Sequence, residues 1–281
     1  MGIAEIYFKN EVNELLTYGF NDKDYEVRPK WPDGVPAHTI KTFCAVRRYD
    51  LSKEFPVLTL RTQMFKGVVR ELLWMWQKKS NIVDELGKSA SIWRAWEDEN
   101  GTIGKTYGYQ LGKVSDYGYG EFDQVDNLIY LLRNKPMDRR MITTMWCPQD
   151  LHEMNLPPCV YETLWDVKDG KLNCLVIQRS GDLLAAAASG GWDTMQYAIL
   201  THMLAQVCGY EVGELVHIVN NLHIYVRHID AVKEVMNNPE YPAPKFWINP
   251  EVKNFYDFTE DDFALEDYQS TKLTTKFEVA E

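Results

Sequence analysis

Two β-rich runs, VYETLWDV and LNCLVIQR, are joined only by KDGK between residues 160 and 179. An Asp-Gly pair flanked by apolar strand formers is a strong hairpin signal, because those two residues accept the positive φ that a tight turn between twisted strands demands. That stretch is therefore committed to an antiparallel pair. Around it, apolar residues recur at spacings of three and four from Thr62 to Lys79 (Phe65, Val68, Val69, Leu72, Leu73, Trp76), which predicts an amphipathic helix. A second helix is predicted from about Thr194 to Cys208, on Tyr197, Leu200, Met203, Leu204 and Val207, with Gly209 placed to end it. MITTMW (141–146) and LVHIVNNLHIYV (215–226) read as further strands, and WPDGVPAH (31–38) as a loop. Helices and strands alternate irregularly, so an α+β arrangement is expected rather than a repeated βαβ winding.

Composition narrows the function classes. The 281 residues are 45% hydrophobic and 13% aromatic, enough for a sizeable core, and no repeat or linker divides them, so residues 1–281 are expected to form a single domain. No stretch approaches the roughly 18 apolar residues of a membrane span. The opening MGIAEIYFKNEV carries Glu5 and Glu11 in place of a basic start and an apolar run, so no secretory leader is expected and a cytoplasmic location follows. Cys44, Cys147, Cys159, Cys174 and Cys208 are odd in number and never spaced C-x-x-C, which argues against both a disulfide framework and a zinc site; no metal is expected. A net charge of −11 disfavours nucleic acid as a partner. An anionic small molecule needs only a local group of arginines.

Several residues carry candidate chemistry. Cys159 follows two prolines and precedes a strand, so it is either a nucleophile held on a stiff approach or a small buried apolar residue. Arg28, the pair Arg139-Arg140, and Arg179 with Ser180 are candidates for a phosphate, though adjacent strand residues such as Arg139 and Arg140 point to opposite faces. Glu71 sits at the edge of the buried face of its helix, either reaching solvent or acting as a buried acid/base with a raised pKa. His223 and Tyr225 share a strand face and suit a sugar hydroxyl, or simply satisfy each other. Asp193, with Gln196 three residues on, matches a helix capping box; the alternative is recognition of a base.

The segments RELLWMWQ (70–77), IWRAWEDENGTIGKTYGYQLG (92–112), DQVDNLIYLLRNKPMDRR (123–140), LPPC (156–159), QRSGD (178–182), HIYVRHID (223–230) and NPEVKNFYDFTEDDF (249–263) together resemble the folate-dependent thymidylate synthases and pyrimidine nucleotide hydroxymethylases over nearly the whole chain. The resemblance implies the thymidylate synthase fold: a mixed β-sheet with packed helices, dimerising through the sheet. It also implies a substrate pair of pyrimidine monophosphate and 5,10-methylenetetrahydrofolate. By it, Cys159 attacks C6 of the base and Glu71 moves protons there. Arg28, Arg179, Ser180 and Gln178 hold the nucleotide, with Arg139 and Arg140 reaching it from the other subunit of a homodimer. Asn221, His223 and Tyr225 serve the sugar. Ile92, Trp93, Trp96, Tyr107 and Leu156 line the folate pocket and catalytic cavity, and Asp182 contacts the pterin.

The chain departs from the synthase pattern after QRSGD. Where synthases usually read LG-x-PFN, this one reads LLAAAASGGWDTMQY (183–197), three residues longer, and alignment from Gln196-Tyr197 sets Asp193 in the place of the base-reading Asn. A carboxyl group at that place accepts from a cytosine amine and shares a proton with N3. CMP or dCMP is therefore expected as substrate, with water rather than hydride completing the transfer to give a 5-hydroxymethyl nucleotide. The charged end, Glu281, suits a looser seal against water, and the run Ala185 to Gly191 a widened sugar pocket. The alternatives are a divergent thymidylate synthase converting dUMP to dTMP, should Asp193 be only a helix cap, and an inactive nucleotide- or RNA-binding relative.

Overall fold

The computed structural model describes residues 2–280. In chain order it contains α1 (Ile3–Tyr18), β1 (Phe20–Asn21), β2 (Thr39–Asp50), α2 (Phe65–Trp76), α3 (Gly108–Leu111), β3 (Ser115–Asp116), β4 (Glu121–Phe122) and α4 (Gln124–Asn134). There follow β5 (Ile142–Thr144), β6 (Val160–Lys168), β7 (Lys171–Asp182), α5 (Trp192–Cys208), β8 (Glu211–Tyr225), α6 (Ile229–Asn237), β9 (Lys245–Ile248) and β10 (Phe263–Glu266). The hairpin forms at β6–β7: Lys168 faces Lys171, and Asp169 and Gly170 take φ of 52° and 76°, the sign the turn needs.

Six strands make one mixed sheet in the order β1-β2-β8-β7-β6-β5. All neighbours run antiparallel except β7 and β8, which are parallel and connected through α5. Their register sets the site, because it puts Ser180 opposite Asn221 and Asp182 opposite His223 at the same end of the sheet.

The predicted helices are present with trimmed ends. α2 loses the residues before Phe65 and after Trp76, and Lys79, predicted to be helical, instead has φ of 53°. α5 ends at Gly209, whose left-handed φ of 80° lets its N–H close on Ala205 O. The strand predicted from residue 141 shortens to β5. α5 packs between α2 and the sheet, so twelve of its residues are buried and it carries almost no solvent face. A second apolar cluster joins Phe8, Val12 and Leu15 of α1 to Leu222 and Ile224 of β8 and to Leu183, Leu184, Ala187 and Ala188. Of the small-residue run, Ala187 and Ala188 are packed into that cluster, whereas Ala185 is exposed and Ala186 half-buried. Glu281, offered as a looser seal, lies outside the described residues. Among the described residues no helix is long and apolar enough to cross a membrane.

Candidate active site

Cys159 sits at the mouth of β6, on a loop braced from the neighbouring strand. Arg179 of β7 donates through Nε to Pro158 O (2.9 Å) and through an Nη to Pro157 O (2.7 Å), and the same Nη lies 3.9 Å from Cys159 Sγ. The two prolines contribute carbonyls that no local N–H can claim, and the guanidinium fork takes both. Cys159 N–H donates to Tyr107 Oη (2.9 Å). Tyr107 reaches it from a backbone with φ of 44°, a region a bulky residue enters only when its surroundings hold it there. Burial pushes the thiol up from its usual range, while Arg179 and, further off, Arg28 pull it down. The thiol is thus held protonated at rest beside the charge that would stabilise its thiolate.

Behind the cysteine, Glu71 of α2 does not reach solvent. It is buried, and three donors close on it: Trp93 Nε1 to Oε2 (2.6 Å), and Trp192 Nε1 (2.7 Å) and Gln196 Nε2 (3.1 Å) to Oε1. Desolvation nevertheless prevails and raises its pKa, as expected of a buried acid/base. Gly67, one turn before Glu71 on α2, makes room for this arrangement, since a Cβ there would stand 2.9 Å from Trp192 Cη2.

Asp193 is not a helix cap. α5 begins at Trp192 with Gly191 as its N-cap and no side-chain cap, and Gln196, the expected capping partner, is spent on Glu71. The Asp193 carboxyl instead accepts from Gln178 Nε2 at Oδ2 (2.8 Å). Desolvation, reinforced by the nearby Glu71 carboxyl, pushes its pKa up to about 7.

The sugar-side residues meet at the far end of β8. His223 Nδ1 lies 3.2 Å from Asn221 Oδ1, and the His223 and Tyr225 rings pack edge to face at 5.1 Å. Asp182 binds the Leu184 N–H (2.9 Å) and lies 3.6 Å from His228 Nδ1. Ser180 offers its backbone carbonyl to Gln178 (2.9 Å). Trp93 stands edge to face with both Trp96 (5.7 Å) and Tyr107 (5.4 Å), and Leu156 O holds the Thr106 hydroxyl (3.0 Å). Ile92 borders a cleft of about 290 Å³ whose rim carries Lys66, Arg70 and Lys88. Arg28, Arg139 and Arg140 are exposed, and Arg140 is forked onto Asp138 (2.9 and 2.6 Å).

Residue-by-residue reading missed Trp192 as a partner of Glu71. It also missed the buried row Arg47, His217 and Thr194 that stands behind Gln178 and Asp193. The available signal was two polar residues, Arg47 and His217, within otherwise apolar or β-branched strand sequence.

Residues 7–281 match the sequence model of the family described as "Thymidylate synthase". The chain is 46% identical over 277 residues, 97% of each chain, to the thymidylate synthase of Bacillus phage phi3T and to thymidylate synthase 1 of Bacillus subtilis (strain 168). The solved structure of thermostable thymidylate synthase A from Bacillus subtilis superposes with a TM-score of 0.92, at 43% identity and 99% coverage of both chains. Such full-length likeness to proteins named for thymidylate synthesis overturns the expectation of CMP or dCMP hydroxymethylation. The physical reason lies at Asp193. A carboxyl there does not by itself select cytosine: with its pKa pushed up to about 7 by desolvation, its protonated form offers one donor and one acceptor, which the O4 and N3–H of uracil meet as well as the N3 and amine of cytosine.

Proposed function

This chain belongs to the thymidylate synthase family, and on that premise we propose that it converts dUMP to dTMP with 5,10-methylenetetrahydrofolate as one-carbon donor. What carries the reading is the 46% identity, over 97% of each chain, to named thymidylate synthases, supported by a cysteine under an arginine and a buried, triply held carboxylate. It takes residues 1–281 as one catalytic domain in the cytoplasm and as half of a homodimer formed through the sheet. Phe43, 83% exposed on β2, is apolar surface suited to such a contact.

In this reading the Cys159 thiolate adds to C6 of uracil and drives electron density through C5 toward O4. Arg179 favours the thiolate at 3.9 Å, and relief of desolvation is not needed once the charge has passed to the base. Neutral Asp193 donates its O–H to O4 and accepts from N3–H, the pattern an Asn amide would present, and so stabilises the enolate as it forms. Glu71, with its raised pKa, moves the proton lost from C5 through water held by the same pocket. Expulsion of Cys159 from C6 then restores the ring. The monophosphate is held by Arg28, Arg179 and Ser180, with the partner's Arg139 and the partner's Arg140, while Gln178, whose amide is spent on Ser180 O, Asp193 and His217, acts on the nucleotide through Asp193. Asn221, His223 and Tyr225 take the sugar 3′-hydroxyl.

The residues present fit the folate. The edge-to-face Trp93 and Trp96 pair with Ile92, Tyr107 and Leu156 gives flat apolar walls, and the cations at the cleft rim suit an anionic tail. Asp182 would accept from the pterin. When bound, the folate supplies both the carbon and the hydride of the new methyl group. Incubation of the enzyme with dUMP and 5,10-methylenetetrahydrofolate tests the whole reading. Equimolar dTMP and dihydrofolate are expected, whereas a hydroxymethyl nucleotide, or no turnover by folded enzyme, rejects it.

A further inference from the structure

A row of buried polar side chains crosses the sheet behind Asp193. Arg47 of β2 is directly opposite His217 of β8 in the strand register, and Gln178 lies on the adjoining β7. Arg47, His217, Gln178 and Thr194 are each no more than 1% exposed. Polar groups so placed are retained only when their hydrogen bonds are made, and here the bonds have forced directions. Gln178 Nε2 is committed twice, to Ser180 O (2.9 Å) and to Asp193 Oδ2 (2.8 Å), so Gln178 Oε1 must accept. Among the described residues the donor on it is His217 Nε2 at 2.8 Å. His217 therefore carries its proton on Nε2 and leaves Nδ1 bare to accept from the Thr194 hydroxyl at 3.2 Å. Arg47, paired twice with Glu11 of α1 (2.6 and 2.9 Å), brings a positive charge alongside the imidazole and, together with burial, keeps it neutral.

We infer that His217 is a positioning residue for the proposed base-reading carboxyl: by holding the Gln178 amide in one orientation, it obliges Gln178 to donate to Asp193 Oδ2 and so fixes the rotation of the carboxyl that the base meets. The inference rests on the proposed thymidylate reading for the identity of that base. Without His217 only the bond to Ser180 O would favour that orientation of the amide. With His217 in place a half-turn about the last Gln178 torsion would, besides losing that bond, set two N–H donors against each other. The donated bond also stabilises the ionised form of Asp193. Loss of His217 must therefore raise the Asp193 titration. The other groups around the carboxyl are Glu71 of α2, Arg47 of β2 with Glu11 behind it, Cys159 and Tyr107 on their loops, and Tyr197 of α5. All of them remain when His217 alone is changed.

The test is a carboxyl-carbon NMR titration of free enzyme labelled at aspartate, with Asp193 assigned by difference from Asp193→Asn. It is run for wild type, His217→Leu and His217→Gln, alongside kcat/KM for dUMP against pH. His217→Leu is expected to move the Asp193 titration up by about one pH unit, the worth of one bond to a charged group, and to lower kcat/KM for dUMP about tenfold at pH 6. His217→Gln, which keeps a donor, is expected to restore both. An unmoved titration in His217→Leu, or an equal move in His217→Gln, overturns the positioning role. Should His217→Leu fail to fold, Thr194→Val, which removes the hydroxyl shared between His217 Nδ1 and Ala188 O (3.4 Å), is expected to raise the titration, and no rise overturns the role. The two readings separate cleanly. A raised titration without dTMP formation sustains the positioning role and removes the thymidylate reading, while dTMP formation with an unmoved titration does the reverse.

Discussion

Replacing Asp193 by Asn gives the sharpest test of how this site reads its base. The Asp193 carboxyl titrates near 7, so it is neutral below that pH and ionised above. If only the neutral form pairs with uracil, the competent fraction of wild type is about half at pH 7, roughly one tenth at pH 8 and roughly one hundredth at pH 9. An Asn side chain presents the same donor and acceptor at every pH. Other ionisations, among them Cys159 and Glu71, are common to both proteins, so the ratio of kcat/KM for dUMP, variant over wild type, isolates Asp193. That ratio is expected to be flat below pH 6.5, then to climb about tenfold per pH unit, or about 1.4 kcal/mol of transition-state stabilisation per unit. Wild type itself need not show the limb. Between the Asp193 titration and that of the raised Cys159 thiol, loss of neutral carboxyl and gain of thiolate offset each other, giving a plateau. Steady-state rates by dihydrofolate absorbance from pH 6 to 9 provide the measurement. A ratio independent of pH, or a folded Asp193→Asn enzyme that has lost dUMP turnover throughout, refutes the neutral-carboxyl argument.

Other outcomes follow from the same contacts. Cys159→Ser should lose at least about a thousandfold in kcat while still binding dUMP by calorimetry, since a hydroxyl is a far weaker nucleophile than a thiolate; near-normal turnover would remove the nucleophile role. Trp192→Phe deletes one of the three donors on Glu71, and should push its pKa further up and cut kcat more than KM, read from the acid limb of the kcat profile. Glu11→Ala strands the Arg47 guanidinium without a partner and should cost about 3–5 kcal/mol in denaturant unfolding. The double change Glu11→Leu with Arg47→Met should recover most of that loss, and a double variant as unstable as the single would show that the pair itself, rather than the unpaired charge, is what matters.

Most of the secondary structure near the site was legible because periodicity and turn chemistry agree there. The Asp-Gly hairpin needs no tertiary help, and the three-and-four spacing along α2 and the glycine after α5 are local signals. α1 and β2 were not legible for a specific reason. Each buries charged residues that a sequence pattern assigns to the surface: Glu5 and Glu11 on α1, Arg47 on β2. Glu5 bonds the Thr59 N–H (2.7 Å) and hydroxyl (2.8 Å), and Glu11 bonds Arg47, all partners at least 36 positions away. Pairing at that range decides burial, and no local window contains it.

The fold gathers several of the residues singled out in the sequence and gives them partners the sequence did not suggest. Cys159, Glu71, Arg179 and Asp193 are brought together, yet Gln196 serves Glu71 rather than a helix cap, and Arg179 braces the Pro157-Pro158 carbonyls as well as facing the thiol. The consequential error concerned what a carboxyl at position 193 selects. It was read as specific for cytosine because it can accept from the amine and share a proton with N3. In the fold the same side chain is desolvated beside a second buried carboxyl, and its titration moves to about 7, where it can present the face of an amide. The identity of position 193 therefore does not fix the base by itself; the protonation of Asp193 responds to Glu71, Gln178 and Arg47 on three other elements. Base preference in this site should accordingly respond to changes at those three residues even when Asp193 is untouched, which a model based on position 193 alone does not allow.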